Sequence, residues 1–118
     1  MQLKVKYDLQ ERTAKFGENT ILFCKTLERN VISSPLINQL IRSATSIGAN
    51  YMEANSASSR KDFTNKIFIC KKEAEETKHW LRMLSTYFSD KRGELRIFWK
   101  EAQELTMIFQ KITNSLRA

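Results

Sequence analysis

FTNKIFICKKEAEETKHWLRMLSTYF, residues Phe63 to Phe88, carries an apolar seam at Phe63, Ile67, Cys70, Ala74, Thr77, Leu81, Leu84 and Phe88. The steps alternate between four and three residues. In an α-helix such positions share one face, so the spacing predicts a long helix packed along one side on other helices. The rhythm returns at Leu95, Phe98, Ala102, Leu105, Phe109, Ile112 and Leu116, and at Leu9, Thr13, Phe16, Thr20, Phe23 and Leu27. A further segment follows Leu36, Ile37, Leu40, Ile41, Ala44, Ile47, Gly48 and Tyr51. Four such segments with short connections predict an all-α fold, an antiparallel up-down-up-down four-helix bundle, in one domain spanning 1–118.

Local signals suggest the boundaries. Helix 1 is expected over about Asp8 to Leu27, with Asp8 and Glu11 in its first turn, where acids complement the helix dipole. Glu28-Arg29-Asn30 marks its end. Helix 2 is expected to open with Ser34 as N-cap and Pro35 at the first helical position. Helix 3 opens with Ser59-Arg60-Lys61-Asp62, a capping-box-like arrangement with Asp in place of Glu, and runs to about Phe88. The chain then turns at Ser89–Gly93 into helix 4. Between Ser43 and Met52 helix 2 has no charge and includes Gly48, which predicts cover on more than one side. Either a neighbouring helix of the same subunit or a second subunit could supply it.

The 118 residues carry three Gly and one Pro, with 42% hydrophobic content, so the chain is expected to be compact nearly end to end. Met1–Tyr7 lacks the apolar core of a signal peptide. The longest uncharged run, Asn30 to Ile41, contains Pro35 and is too short to span a bilayer. A cytoplasmic protein without membrane contact is expected. Cys24 and Cys70 are then expected to be reduced core thiols rather than a disulfide.

Candidate chemistry is sparse. If helices 2 and 3 pivot near residues 58 and 59, Arg42 reaches the height of Glu73 and Glu76, and a structural ion pair is expected there. Were Arg42 buried, that pairing would be close to obligatory. Glu76-Thr77-Lys78-His79 has the Glu-x-x-His spacing of di-iron bundles, but such a site needs the motif twice and His79 is the only histidine. Cys70 and His79 lie nine residues apart on one helix, about half a turn out of phase, which excludes them as a nucleophile and base pair. With no Gly-rich phosphate loop and no Ser-His-Asp candidate, no enzyme, metal or cofactor is expected.

Charge is more informative. The net charge is +7, and residues 60–100 hold eleven Lys or Arg against six acids. If helices 3 and 4 pivot near Lys91, Arg82 and Lys100 fall at equal height, while Arg92, Arg96 and Lys100 recur every fourth residue. Lys78 lies one turn from Arg82, with Glu104 as its expected partner. Lys78, Arg82, Lys91, Arg92, Arg96 and Lys100 are therefore the candidate nucleic-acid contacts, with Trp99 beside them as a surface for an unpaired base. Ile69, Trp80, Met83 and Tyr87 form a second apolar row on helix 3. One bundle core needs about three apolar positions in seven, so this surplus points to a subunit interface or to a wide intramolecular core.

Leu40-Ile41-Arg42-Ser43-Ala44-Thr45-Ser46-Ile47-Gly48-Ala49-Asn50-Tyr51-Met52-Glu53-Ala54, then Asp62-Phe63 and Lys72-Glu73-Ala74-Glu75-Glu76-Thr77-Lys78-His79-Trp80-Leu81, resembles a known family. These are the bacterial four-helix-bundle proteins encoded in intervening sequences of 23S ribosomal RNA genes. The likeness is close over helices 2 and 3 and holds in pattern over helices 1 and 4. His79 departs from it, since the family more often has Tyr before the Trp-Leu pair. The resemblance implies a ring-like homopentamer, related to the accessory variability determinant of diversity-generating retroelements, a basic pentamer that binds nucleic acid and a reverse transcriptase. The expected function is a basic homo-oligomeric scaffold contacting RNA or DNA phosphates without sequence specificity. A protein–protein scaffold with no nucleic-acid ligand is the alternative.

Overall fold

The computed structural model describes residues 2–117, with side-chain environments from Leu9 to Arg117. Four helices form it: α1 (Gln2–Cys24), α2 (Ser33–Asn55), α3 (Arg60–Tyr87) and α4 (Arg92–Arg117), with a single 3-10 turn, Ser89–Lys91, before α4. There is no strand among the described residues. Each helix packs on its sequence neighbour, and α1 also meets α4, which closes the bundle. Paired positions run in opposite directions along every such contact. On α2 and α3, Lys66 meets Glu53, Cys70 meets the Ile47 carbonyl and Thr77 meets Ser43. On α1 and α4, Arg12 meets Glu101 while Phe23 reaches back to Phe98. The bundle is antiparallel throughout.

Three boundaries differ from expectation. Helix α1 starts at Gln2, so Asp8 and Glu11 stand beyond its first turn. It ends at Cys24 rather than Leu27, yet Leu27 stays buried because Thr26 and Leu27 donate to the carbonyls of Phe23 and Cys24 three residues back. A tightened last turn keeps the seam's phase. Ser34 does not cap α2. Instead the Asn30 side chain accepts from the amides of Ile32 and Ser33, each at 2.9 Å, while Ser33 Oγ accepts from the Asn30 amide at 2.9 Å. This is a reciprocal capping arrangement with Ser where Glu is usual. It starts α2 at Ser33, two residues before Pro35 is reached. The carbonyl that Pro35 leaves without a helical donor belongs to Val31, which is 93% exposed and open to water. At α3 the expected cap is present on one side, with Ser59 Oγ accepting from the Asp62 amide at 3.0 Å.

The core follows the seams. Ile67, Cys70, Ala74, Thr77, Leu81, Leu84 and Phe88 are buried, as are Leu95, Ala102, Leu105 and Phe109, with Phe63, Phe98 and Ile112 half-buried beside them. Seven serines and threonines are buried as well, Thr13, Thr20, Thr77, Thr106 and Thr113 with Ser33 and Ser43. They are tolerated because each can bond locally: Thr20, Thr77 and Thr106 donate to the carbonyl one turn back at 2.8 Å. Among the described residues no buried side-chain nitrogen or oxygen lacks a partner.

The four seams are not equally tight. Where α1 crosses α2, a Cβ on Gly48 would lie 3.3 Å from the Thr13 carbonyl oxygen, and one on Gly17 would lie 3.5 Å from Thr45 Cα. The neutral face of α2 is thus covered, at Gly48, by α1 of the same subunit. The α1–α4 seam is wider and is spanned by large side chains, with the Phe98 ring packed at a tilt against Phe16 and Phe23 at centroid distances of 6.1 and 5.1 Å. Gly93, by contrast, has open space around it. Replacing Gly48 with Leu is expected to cost about 2 kcal/mol or more by forcing α1 away. Gly93→Ala is expected to add about 0.5–1 kcal/mol through helix propensity. Denaturant unfolding of the two variants measures both.

Candidate functional site

The short 3-10 turn returns α4 along α3 with little offset. Arg92 Nε donates to the Ser85 carbonyl at 3.1 Å, Lys78 Nζ reaches Gln103, and Arg60 donates to the Leu116 carbonyl at 3.0 Å. This register opens a groove of about 400 Å³ lined by Leu81, Arg82, Ser85, Arg92, Leu95, Arg96, Trp99 and Lys100. Leu81 and Leu95 are buried and supply an apolar floor. Arg82, Arg92, Arg96 and Lys100 are exposed around it. No carboxylate lines the groove. Among the described residues none of the four cations forms a salt bridge within 4.0 Å, although six such bridges occur elsewhere. Four uncompensated positive charges converging on one concavity raise the local potential and favour an anionic occupant.

Two of the six expected contacts sit apart from the groove. Lys91 lies in the 3-10 turn, half-buried, and does not line it. Lys78 is half-buried behind Trp99, bonded to Gln103 with its ammonium 5.5 Å from the indole centroid, a cation–π contact. Glu104 is not its partner. That carboxylate belongs to Arg12, whose guanidinium also grips Glu101: Nε to Oε2 is 2.6 Å, Nη2 to Oε1 is 2.8 Å, and Nη2 to Glu104 Oε1 is 2.7 Å. The Glu101 hydrogen bond, first among the causes, lifts the Arg12 pKa further above its ordinary value. This clamp ties α1 to α4 across the wide seam. The signal for it was present: Glu101 and Glu104 are three apart, as Glu73 and Glu76 are, and each pair offers two carboxylates to one Arg on an antiparallel neighbour.

Arg42 lies 3.2 Å from Glu73 and is bonded to Glu76, while its Nε donates to Gln39 at 3.0 Å. Its side chain is 46% exposed, so it is not the buried guanidinium considered from sequence. Glu76 also accepts from Trp80 Nε1 at 3.2 Å. That bond, ahead of the Arg42 charge, holds the Glu76 carboxyl below its ordinary value.

The second apolar row is mostly half-buried. Ile69, Trp80 and Met83 are intermediate, Trp80 packs against the core, and Tyr87 is 39% exposed with its hydroxyl accepting from Asn30. Larger apolar exposure lies elsewhere, at Leu22, Val31 and Ile32 around the α1–α2 connection and at Ile97 on α4. Periodicity did not point to these residues because Val31 and Ile32 stand in a connection and Leu22 and Ile97 lie off their seams.

Cys24 and Cys70 are buried free thiols, pushed up to about 11 and about 12 by burial. Neither ionises appreciably at neutral pH. His79 is exposed and packs edge-on to Trp80 at 4.9 Å. No group of three or more His, Cys, Asp or Glu able to hold a metal ion occurs among the described residues, and no described helix is long and apolar enough to cross a membrane.

Residues 6–118 match the model of the 23S rRNA-intervening sequence proteins, so the likeness extends over all four helices. Among solved structures, a protein of unknown function from the S23 ribosomal protein family of Bacteroides thetaiotaomicron is similar at 30% identity, with a TM-score of 0.79. The alignment covers 88% of this chain and 96% of that one. No curated protein matches the chain.

Arg42→Leu is expected to cost about 1 kcal/mol in an isolated subunit, because a half-exposed pair is screened by water. A loss of several kcal/mol in thermal unfolding would mean that a second subunit covers it. Because folding lowers the Glu76 pKa, the stability it contributes is full above the ordinary value of 4.5 and is lost as pH falls through the depressed one. Trp80→Phe is expected to shrink that acid-side loss, read from unfolding midpoints across pH.

Proposed function

This chain belongs to the 23S rRNA-intervening sequence protein family, and from that premise we propose that it is a non-enzymatic, basic homo-oligomeric scaffold. It contacts RNA or DNA through phosphates and reads no sequence. The observation that carries this is the α3–α4 groove, where Arg82, Arg92, Arg96 and Lys100 converge with no carboxylate between them. Isolated surface cations are common and mean little, whereas four gathered on one groove with no carboxylate among them form the kind of basic patch that attracts a polyanion. Direct base readout would need side chains ordered to match base edges. Four long, exposed cations suit phosphates instead.

Self-association rests on different residues. Half-buried Ile69, Trp80 and Met83, partly exposed Tyr87, and exposed Leu22, Val31 and Ile32 leave more apolar surface open than one subunit covers. A closed ring, pentameric as the family resemblance implies, would repeat the basic groove and multiply its potential.

The test is a binding titration with generic RNA and DNA across salt concentrations, on protein of measured solution mass. Affinity is expected to fall steeply with salt, and replacing Arg92, Arg96 and Lys100 by Gln should lower the log–log slope by about two to three. A pentamer would weigh about 69 kDa from 13.8 kDa subunits. An unchanged slope in the triple variant would remove this groove from the function. Absence of any nucleic-acid binding would leave the protein-scaffold alternative.

A further inference from the structure

We propose that the α3–α4 groove is built for single-stranded nucleic acid, one unpaired base lying against Trp99 while the adjoining phosphates rest on Arg92, Arg96 and Lys100. This rests on the polyanion function proposed above and adds the form of the ligand.

A site for phosphates alone needs only a charged surface. This one is an open, concave groove of about 400 Å³, with Trp99 on its wall and the buried Leu81 and Leu95 beneath it. That volume is in the range of small-ligand pockets. A duplex offers such a cavity nothing, because its bases are stacked inward and its phosphates lie on a convex rod. An unpaired base brings a flat apolar face that can enter, and stacking on an indole tolerates every base, consistent with binding that reads no sequence.

Trp99 is also prepared for that task. It is 40% exposed, unusual for the largest side chain in a bundle with a well-filled core. Lys78 holds the ring from one side at 5.5 Å and is itself tethered to Gln103. An indole fixed in this way loses little freedom when a base arrives, which favours affinity. Trp80, the other tryptophan, is also held, by its bond to Glu76, but it packs against the core and is less exposed.

The cations fit the same ligand. Arg92, Arg96 and Lys100 recur every fourth residue of α4, about 6 Å apart along its axis. A flexible single strand can follow that row while dipping one base into the groove beside it. Arg82 faces the row from α3 across the groove.

The test uses the intact protein and fluorescence anisotropy with three short probes of equal length: a mixed-sequence single strand, its duplex, and an abasic single strand of the same charge. The base-bearing single strand is expected to bind about tenfold tighter than the abasic one. Trp99→Ala should remove that difference while leaving duplex affinity unchanged, and Trp99→Phe should restore most of it. In a Trp80→Phe background, the remaining tryptophan fluorescence should be quenched by the base-bearing strand and not by the abasic strand. Equal binding of abasic and base-bearing strands, or a single-strand affinity within about twofold of wild type in Trp99→Ala, would overturn the stacking site. If the Arg92, Arg96 and Lys100 variant still lost binding in that case, the phosphate function would stand without it. No binding to any probe would overturn both.

Discussion

The close antiparallel packing of α3 on α4, fixed by the three-residue 3-10 turn between them, is the constraint on which the rest depends. Both helices present a continuous apolar seam, so neither can rotate without lifting leucines out of the core. The short turn removes the remaining freedom to slide. Once phase and offset are set, Arg82 has to face Arg92, Arg96 and Lys100, and the repulsion among them is carried by the packing energy of Leu81, Leu84, Leu95, Ala102 and Leu105. The charge cluster is therefore imposed by the register and would relax if the helices could move apart. Its persistence without carboxylates distinguishes it from the α2–α3 and α1–α4 contacts, which carry Arg–Glu or Lys–Glu pairs, while α1–α2 is drawn close at Gly48.

Elsewhere polar groups are spent locally. Buried threonines occupy seam positions in α1 and α3 and positions beside the seam in α4, and they satisfy themselves on their own helix carbonyls, so they add shape to the core without specifying partners. Among the described residues only the Thr77 hydroxyl also bonds to another helix, 2.9 Å from that of Ser43. Specific pairing comes from two carboxylate clamps of the same design. Glu73 and Glu76 hold Arg42 between α3 and α2, and Glu101 and Glu104 hold Arg12 between α4 and α1. The second clamp matters more to the architecture, because the α1–α4 seam has little close backbone contact and is bridged by this clamp and by Phe98.

The seams made the fold legible from sequence, since a four-three apolar spacing over Phe63–Phe88 has no strand alternative. Sequence-adjacent helices were also placed correctly in height, because a common turn fixes their offset, and Arg42 accordingly meets Glu73 and Glu76. Helices α1 and α4 share no turn. Their register depends on three successive connections, so counting across the α3–α4 turn assigned Glu104 to Lys78, and Arg12 was missed. The start of α2 was misplaced for a local reason: Ser34-Pro35 is a strong signal, but Asn30 and Ser33 cap each other upstream of it. Within the groove, spacing located Arg92, Arg96 and Lys100 on one stripe, whereas the concavity, its leucine floor and the withdrawal of Lys78 behind Trp99 depend on side-chain packing that periodicity does not encode.

Membership of the 23S rRNA-intervening sequence protein family accounts for the bundle, and the unpaired cations supply the argument for what the bundle touches. The most direct test is to cross-link a photoreactive oligonucleotide to the native protein and map the attachment sites by mass spectrometry. Attachment confined to the segment from Arg82 to Lys100 is the expected result. Attachment concentrated at the opposite end of the bundle, around Glu53 to Thr64, would contradict it.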